Sequence, residues 1–319
     1  MNLNEKLELI KRNTEEIITE EELASLLKTK KSPVAYCGYE LSGPAHLGHI
    51  VTITKLQDLE KAGFKVKVLL ADIHSILNRK GDEKAIKSSA EQWKKTIKAL
   101  KLNAEIILGS DFQFNKNYQY EVMNLAQHTT INRGLRSMQE IARDVENATI
   151  SQLWYPLMQT ADIKFLDVDL ALGGMEQRKV HMIAKDNTNL LNHKFIALHT
   201  PLITSLKGPG KKMSRSIPGS GISVTDNHEE IKKSISNAYC PAKEIKDNPV
   251  LQITKLIIFP RTSKLLINRP AKFGGSLEFN NYESLEKAYH ESKLHPADLK
   301  SAIADELEKI IAPIREKII

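Results

Sequence analysis

Between Pro33 and Ile203, five short and continuously apolar runs alternate with longer stretches of helical periodicity, and that alternation leaves few folds open. The runs are VAYCG (34–38), VKVLLA (66–71), AEIILG (104–109), VDLALGG (168–174) and KFIALHTPLI (194–203). None alternates polar with apolar residues as a half-exposed strand would, so each suits a strand covered on both faces. Between the second and third, Ile86, Ala90, Trp93, Ile97 and Leu100 recur at helical spacing behind Asp82, a candidate N-cap. Strand and helix in succession imply parallel βαβ units with right-handed crossovers.

The predicted fold class is therefore α/β, a Rossmann-like doubly wound parallel sheet. The connection from Ser110 to Asp167 is too long for a plain crossover and reads as wholly helical, an insertion at about 110–167 over one edge of the sheet. SRSIPGSGISVT (214–225), rich in Ser, Gly and Pro, reads as a mobile loop and a domain boundary, overlapping a loop expected over 208–224. Beyond it the pattern is mainly α-helical. The expected division is a first domain over 1–227 and a C-terminal domain over 228–319. The N-terminus, MNLNEKLELIKRNTEEIITEEEL, reads as one amphipathic helix with no leader-like apolar stretch, which implies a cytoplasmic protein.

At 319 residues, 41% hydrophobic and 27% charged, the chain has the composition of a soluble globular protein of two domains. No apolar run reaches the ~18–20 residues a membrane helix needs. Cys37 and Cys240 stand far apart with no CxxC, which argues against a disulfide framework or a structural metal. A net charge of +7 is compatible with a polyanion partner without demanding one.

Chemistry enters at the first strand-to-helix turn, where His46-Leu47-Gly48-His49 opens a helix. Helix N-termini carry unpaired N–H groups and a positive dipole end, which suit phosphate. Two imidazoles three residues apart share one face of the turn and can donate to phosphate oxygens, while Gly48 leaves room for a flat base. A pair of histidines that merely cap the helix is the plainer alternative. The second element, Lys212-Met213-Ser214-Arg215-Ser216, lies in the Ser/Gly/Pro-rich loop after the fifth strand. Two cations and two hydroxyls on flexible backbone can close on a triphosphate and stabilise departing pyrophosphate, although a solvated basic loop has the same composition. One element follows the first strand and the other the fifth, so a doubly wound sheet brings both to its carboxyl edge.

HLGH and KMSRS resemble the HIGH and KMSKS signatures of the class I aminoacyl-tRNA synthetases. AYCGYELSGPAHLGH, WYPLMQTADIKFLDVDLALGGMEQRKVHM, NAYCPA and NRPAKFGG are similar to the tyrosyl-tRNA synthetases of archaeal and eukaryotic type, over nearly the whole chain. Three departures stand out. Arg215 occupies a position where these enzymes commonly have serine, IPGSGIS follows it, and Leu41 stands where proline is usual.

The resemblance implies a tyrosine-tRNA ligase that forms tyrosyl-adenylate from L-tyrosine and ATP with Mg2+, then esterifies tRNA(Tyr). Tyr36 and Asp162 would bind the phenolic hydroxyl, and Tyr155, Gln159 and Gln177 the α-amino end. Tyr155, Gln159 and Asp162 fall on one helix face by their spacing. Gly38, Gly48, Gly173, Gly174 and Glu176 would border ATP, with Met213, Ser214 and Ser216 from the loop, and Glu176 on the ribose. His46, His49, Lys212 and Arg215 would stabilise the transition state. Arg136 and Arg178 would read the first acceptor pair, and Phe273, His295 and Asp298 the first anticodon base. The helical insertion would form a homodimer. A tryptophanyl enzyme and a non-catalytic RNA-binding relative remain as alternatives. The first is disfavoured because Tyr36 and Asp162 suit a phenol, the second because both signatures are intact.

Overall fold

The computed structural model describes residues 1–141, 147–214 and 217–318. Its main sheet has six strands: β1 (Glu16–Ile18), β2 (Val34–Glu40), β3 (Lys65–Ala71), β4 (Ala104–Leu108), β5 (Leu170–Gly174) and β6 (Ile196–Thr200). They lie in the order β1-β6-β5-β2-β3-β4, parallel except for β1. The five apolar runs are thus the five parallel strands. The chain starts this parallel set at β2, builds outward through β3 to β4, and returns to the other side of β2 with β5 and β6. That reversal leaves a crevice beyond the carboxyl ends of β2 and β5, where open α/β sheets bind ligands.

The N-terminus departs from the single helix predicted. Helix α1 (Leu3–Lys11) ends before Asn13, which takes a left-handed φ of 55°. Glu16–Ile18 then pairs with β6, Glu16 opposite His199, and α2 (Glu20–Thr29) starts behind the capping box of Thr19 and Glu22. The β-branched run Ile17-Ile18-Thr19 favours extended backbone, and the open edge of β6 supplies the hydrogen bonds a short strand needs.

Three helices follow the next strands: α3 (Leu47–Lys61), α4 (Asp72–Leu77) and α5 (Glu83–Ala99). Asp82 caps α5 by accepting from the Ala85 amide at 2.8 Å, and Ile86, Ala90, Trp93 and Ile97 face inward as their spacing predicts. Trp93 is fully buried and donates its indole N–H to the Gly43 carbonyl at 3.1 Å. Such an anchor typically contributes about 3–5 kcal/mol against alanine. The insertion comprises α6 (Lys116–His128), α7 (Ile131–Met138) and α8 (Ile150–Phe165). Tyr118, Val122 and Leu125 of α6 pack against Leu157, Met158 and Ala161 of α8. Two more helices, α9 (Arg178–Asp186) and α10 (Thr188–Leu191), separate β5 from β6.

By contacts the chain forms two compact units, one of Met1–Gly43, Lys55–Lys94 and Lys101–Pro201, the other of Pro44–Thr54, Lys95–Leu100 and Leu202–Ile319. The second contains α11 (His228–Ser236), α12 (Pro249–Ile253), the hairpin β7 (Leu265–Ile267) with β8 (Leu277–Phe279), α13 (Tyr282–His290) and α14 (Pro296–Ile318). Ile231 and Ile235 of α11 and Leu299, Ile303 and Leu307 of α14 are buried where these two helices pack. The hairpin is an addition to the helical pattern. Its loop turns where Gly274 and Gly275 take φ of 92° and 74°, values that penalise any side chain.

Cys37 and Cys240 are buried and form no disulfide. Among the described residues no helix is long and apolar enough to cross a membrane, and no group of three or more His, Cys, Asp or Glu is placed to hold a metal ion.

Candidate active site

The residues expected at a phenol meet in a buried polar cluster of the first unit. Tyr36 on β2 is buried and Asp162 on α8 fully so. Asp162 Oδ1 accepts from the Tyr118 hydroxyl at 2.7 Å and from Gln113 Nε2 at 2.8 Å. Among the described residues its Oδ2 accepts no hydrogen bond; it lies 3.5 Å from His74 Nε2, which has no partner among them either. Gln113 Nε2 approaches His74 Nδ1 at 3.4 Å, and an amide N–H there puts the imidazole proton on Nε2. An unused carboxylate lone pair beside an imidazole N–H is a place for a hydroxyl that both donates and accepts.

Burial pushes the Asp162 carboxyl up to about 7, against the pull of Gln113 and Tyr118, so its charge at neutral pH is finely balanced. Burial also raises the Tyr36 hydroxyl well above its ordinary range and keeps it a donor. Gly38 is exposed although it sits mid-strand, and a Cβ there would stand 2.9 Å from Tyr36 Oη. The missing side chain is what leaves space beside that hydroxyl. His74, Gln113 and Tyr118 were not anticipated. They come from three separate segments with no shared spacing, and Gln113 and Tyr118 stand in a largely polar stretch, so nothing along the chain marks them.

Tyr155 and Gln159 share the buried face of α8 with Asp162, as their spacing requires. Burial, with the nearby Glu40 carboxylate, raises the Tyr155 hydroxyl well above its ordinary range, and the His74 and Tyr155 rings meet edge to face at 4.7 Å between centroids. Gln159 Nε2 reaches Gln177 Oε1 at 3.3 Å, so those two expected partners meet. Gly173 and Gly174 end β5. A Cβ on Gly173 would lie 2.7 Å from Gln177 Cβ, and one on Gly174 would run into the Glu176 carboxylate, which folds back over it.

Both signature elements lie in the second unit, where HLGH meets the end of the loop that carries KMSRS. His46 bridges to Ser223, Leu47 N–H donates to the Ile222 carbonyl at 3.1 Å, and Val224 N–H to the Ala45 carbonyl at 3.0 Å. His46 Nδ1 accepts from the Gly48 amide and His49 Nδ1 from the His46 amide, at 3.1 and 3.2 Å. Both bonds use the Nδ1 lone pair, so each neutral ring carries its proton on Nε2. The rings stack at 3.8 Å between centroids. Capping and donation are therefore compatible, because the cap itself selects the donating tautomer. A Cβ on Gly48 would fall 2.8 Å from His46 Cε1, so this glycine first makes room for the capping ring.

His46, Met213, Ser214 and Gly221 help line a cleft of about 290 Å³ here. Lys212, exposed, pairs by backbone with Thr204, and Met213 N–H donates to the Ile203 carbonyl at 2.7 Å. Fully buried Ser220 takes the Ser214 amide at 3.0 Å and returns its hydroxyl to the Ser214 carbonyl at 2.5 Å. Arg215 and Ser216 lie outside the described residues.

Of the residues expected at nucleic acid, Arg136 is exposed at the end of α7. Arg178, opening α9, grips Glu16 with Nε at 2.8 Å and Nη2 at 2.9 Å, which holds that carboxyl below its ordinary range. Phe273 is 60% exposed on the β7–β8 loop with Lys272 5.0 Å above its ring, so it is not core. Asp298 lies in the first turn of α14, one turn past exposed His295, whose Nδ1 accepts from Ala297 N–H at 3.2 Å.

Comparison with known proteins gives one consistent result. The family of class I tRNA synthetases (W and Y) matches residues 28–312. The tyrosine–tRNA ligase of Archaeoglobus fulgidus is 46% identical, over 100% of this chain and 99% of that protein. That of Methanococcoides burtonii is 46% identical over 98% of each. The crystal structure of the A. fulgidus tyrosyl-tRNA synthetase complexed with L-tyrosine superposes with a TM-score of 0.96 at 46% identity, covering 99% of this chain and 100% of that one. Fold, motif order and full-length similarity agree, and the chain belongs to the tyrosyl-tRNA synthetases of archaeal and eukaryotic type, within class I.

Proposed function

We propose that this chain is a tyrosine–tRNA ligase that activates L-tyrosine with ATP and transfers the tyrosyl group to the 3′ end of tRNA(Tyr). The observation that carries the amino-acid specificity is the vacant acceptor Asp162 Oδ2 beside His74 Nε2, with the hydroxyl of Tyr36 in the same cluster. Phenylalanine would leave those buried groups unpaired, a penalty that supports discrimination of ~10⁴–10⁵. Tyr155, Gln159 and Gln177 take the α-amino end.

In the first step the tyrosine carboxylate attacks the α-phosphate in line and pyrophosphate leaves. Nε2–H of His46 and of His49, with Lys212 and Arg215, stabilise the charge that develops. Gly38, Gly48, Gly173, Gly174 and Glu176 border ATP, as do Met213, Ser214 and Ser216. Magnesium arrives on the ATP phosphates. In the second step a terminal ribose hydroxyl of tRNA attacks the adenylate carbonyl. Arg136 and Arg178 face the acceptor stem, and Phe273, His295 and Asp298 in a domain spanning 228–319 hold the first anticodon base. The enzyme works in the cytoplasm as a homodimer through the insertion, where Phe114, Tyr120, Met123, Ile131 and Ile150 are each more than half exposed.

Tyrosine-dependent exchange of labelled pyrophosphate into ATP tests this reading. Exchange with tyrosine and little with phenylalanine or tryptophan is expected. Equal exchange with tryptophan, or none with any amino acid, refutes it.

A further inference from the structure

Behind Gln159 runs a chain of buried side chains that the reaction as described does not use. Gln159 Nε2 lies 3.5 Å from His181 Nε2, His181 Nδ1 3.0 Å from His199 Nε2, and His199 Nδ1 3.0 Å from Glu16 Oε2. Both imidazoles are fully buried. Four segments contribute: α8, α9, β6 and the edge strand β1, and α9 also supplies, at the far end, Arg178 clamped on Glu16.

The proton positions along this chain follow from its outer end. Arg178 keeps Glu16 an acceptor-only carboxylate, so His199 Nδ1 must bear a hydrogen. Burial depresses both histidines below their ordinary range, so each carries one proton only. His199 Nε2 is then a lone pair and takes the Nδ1–H of His181. His181 Nε2 is in turn a lone pair and takes a hydrogen from the Gln159 amide nitrogen. The other hydrogen of that nitrogen points to Gln177 Oε1 at 3.3 Å. With both amide hydrogens committed, Gln159 offers its carbonyl oxygen on the remaining side.

We propose that His181 and His199 are positioning residues for L-tyrosine, fixing the Gln159 amide so that its carbonyl oxygen, not its NH₂, meets the substrate's α-ammonium group. The inference rests on the assignment of Gln159 to that end of the substrate. Reversal of the chain would turn a donor toward an ammonium that has only donors. The same chain ends on Arg178, so the orientation of an amino-acid contact depends on an ion pair at the edge of the sheet.

The test compares tyrosine with 3-(4-hydroxyphenyl)propionate, which lacks only the α-amino group, in equilibrium binding without ATP. His199→Phe removes both bonds in a similar volume. Glu16→Gln, at a residue that is not fully buried, removes the acceptor-only anchor. Each should weaken tyrosine on the order of tenfold to a hundredfold and leave the desamino ligand within about twofold. Charge released at Arg178 by Glu16→Gln acts on the carboxylate of both ligands and cancels in their ratio. Equal weakening of both ligands, or of neither, overturns the proposal, and Glu16→Gln decides alone if His199→Phe does not fold. Gln159→Ala separates the two levels of inference. Should it weaken both ligands alike, the assignment of Gln159 is wrong; should it alone be selective, only the histidine chain is wrong.

Discussion

Replacing Asp162 with Asn should stabilise the ligand-free protein at alkaline pH while weakening its hold on tyrosine. The carboxyl titrates near 3.9 when unfolded and at about 7 in the fold, where burial opposes its charge. Between those values the folded state binds the extra proton, so stability falls as pH rises. The contribution is complete below about pH 4 and lost once pH passes 7. A difference of about three pKa values at 1.36 kcal/mol each sets a ceiling of about 4 kcal/mol on the effect. Asn keeps an oxygen for Gln113 and Tyr118 and has no charge to desolvate. The buried histidines work in the opposite sense, since His74 and His181 are pushed down to about 3 and cost stability as pH falls below ~6.5. For that reason the quantity to measure is the difference between variant and wild type, by urea unfolding without ligand from pH 4 to 9. Asn should gain on Asp progressively up to about pH 7 and then level off. Tyrosine affinity above pH 7 should drop by about 1.5–3 kcal/mol for loss of a charge-assisted bond. Parallel pH curves, or unchanged affinity, would refute the account of Asp162 as a strained acceptor.

Lys212→Ala should lower the rate of adenylate formation about a hundredfold with little change in tyrosine binding, measured by single-turnover kinetics; a rise only in the Michaelis constant for ATP would make it a ground-state contact. Gly38→Ala should raise the Michaelis constant for tyrosine about tenfold, because the new methyl would stand 2.9 Å from Tyr36 Oη, whose ring is packed on all sides. In contrast, Asp298→Ala should impair tRNA charging by about 1–3 kcal/mol at the first anticodon base and spare pyrophosphate exchange. Loss of both activities would identify it as a structural carboxylate at the start of α14.

Much of the first unit was legible because burial on both faces writes long apolar runs, and each of the five runs overlaps its strand, although β2 continues past its run to Glu40 and β3 begins one residue earlier, at Lys65. KFIALHTPLI overshoots β6, which ends at Thr200 where Pro201 can no longer donate to a ladder. β1 was not legible: three residues inside a charged segment carry no period, and only the open edge of β6 makes them a strand. The hairpin β7–β8 was missed for the same reason, with three residues in each arm. At the site, Tyr155, Gln159 and Asp162 were readable together because one helix face carries them. His74, Gln113 and Tyr118 were not, since a hydrogen-bonded cluster drawn from several segments has no signature along the chain. The tautomers of His46 and His49 depend on backbone amides, which a motif does not display.

The edge strand β1 also shields the molecule from itself. Glu16–Ile18 occupies the outer hydrogen-bonding side of β6, whose five residues Ile196–Thr200 are all buried. A chain shortened past Thr19 would present that apolar strand with unsatisfied amides and carbonyls, a template onto which a second copy can add a strand of its own. Self-association and poor solubility, rather than a simple loss of substrate affinity, are the behaviour to be expected of such a truncation.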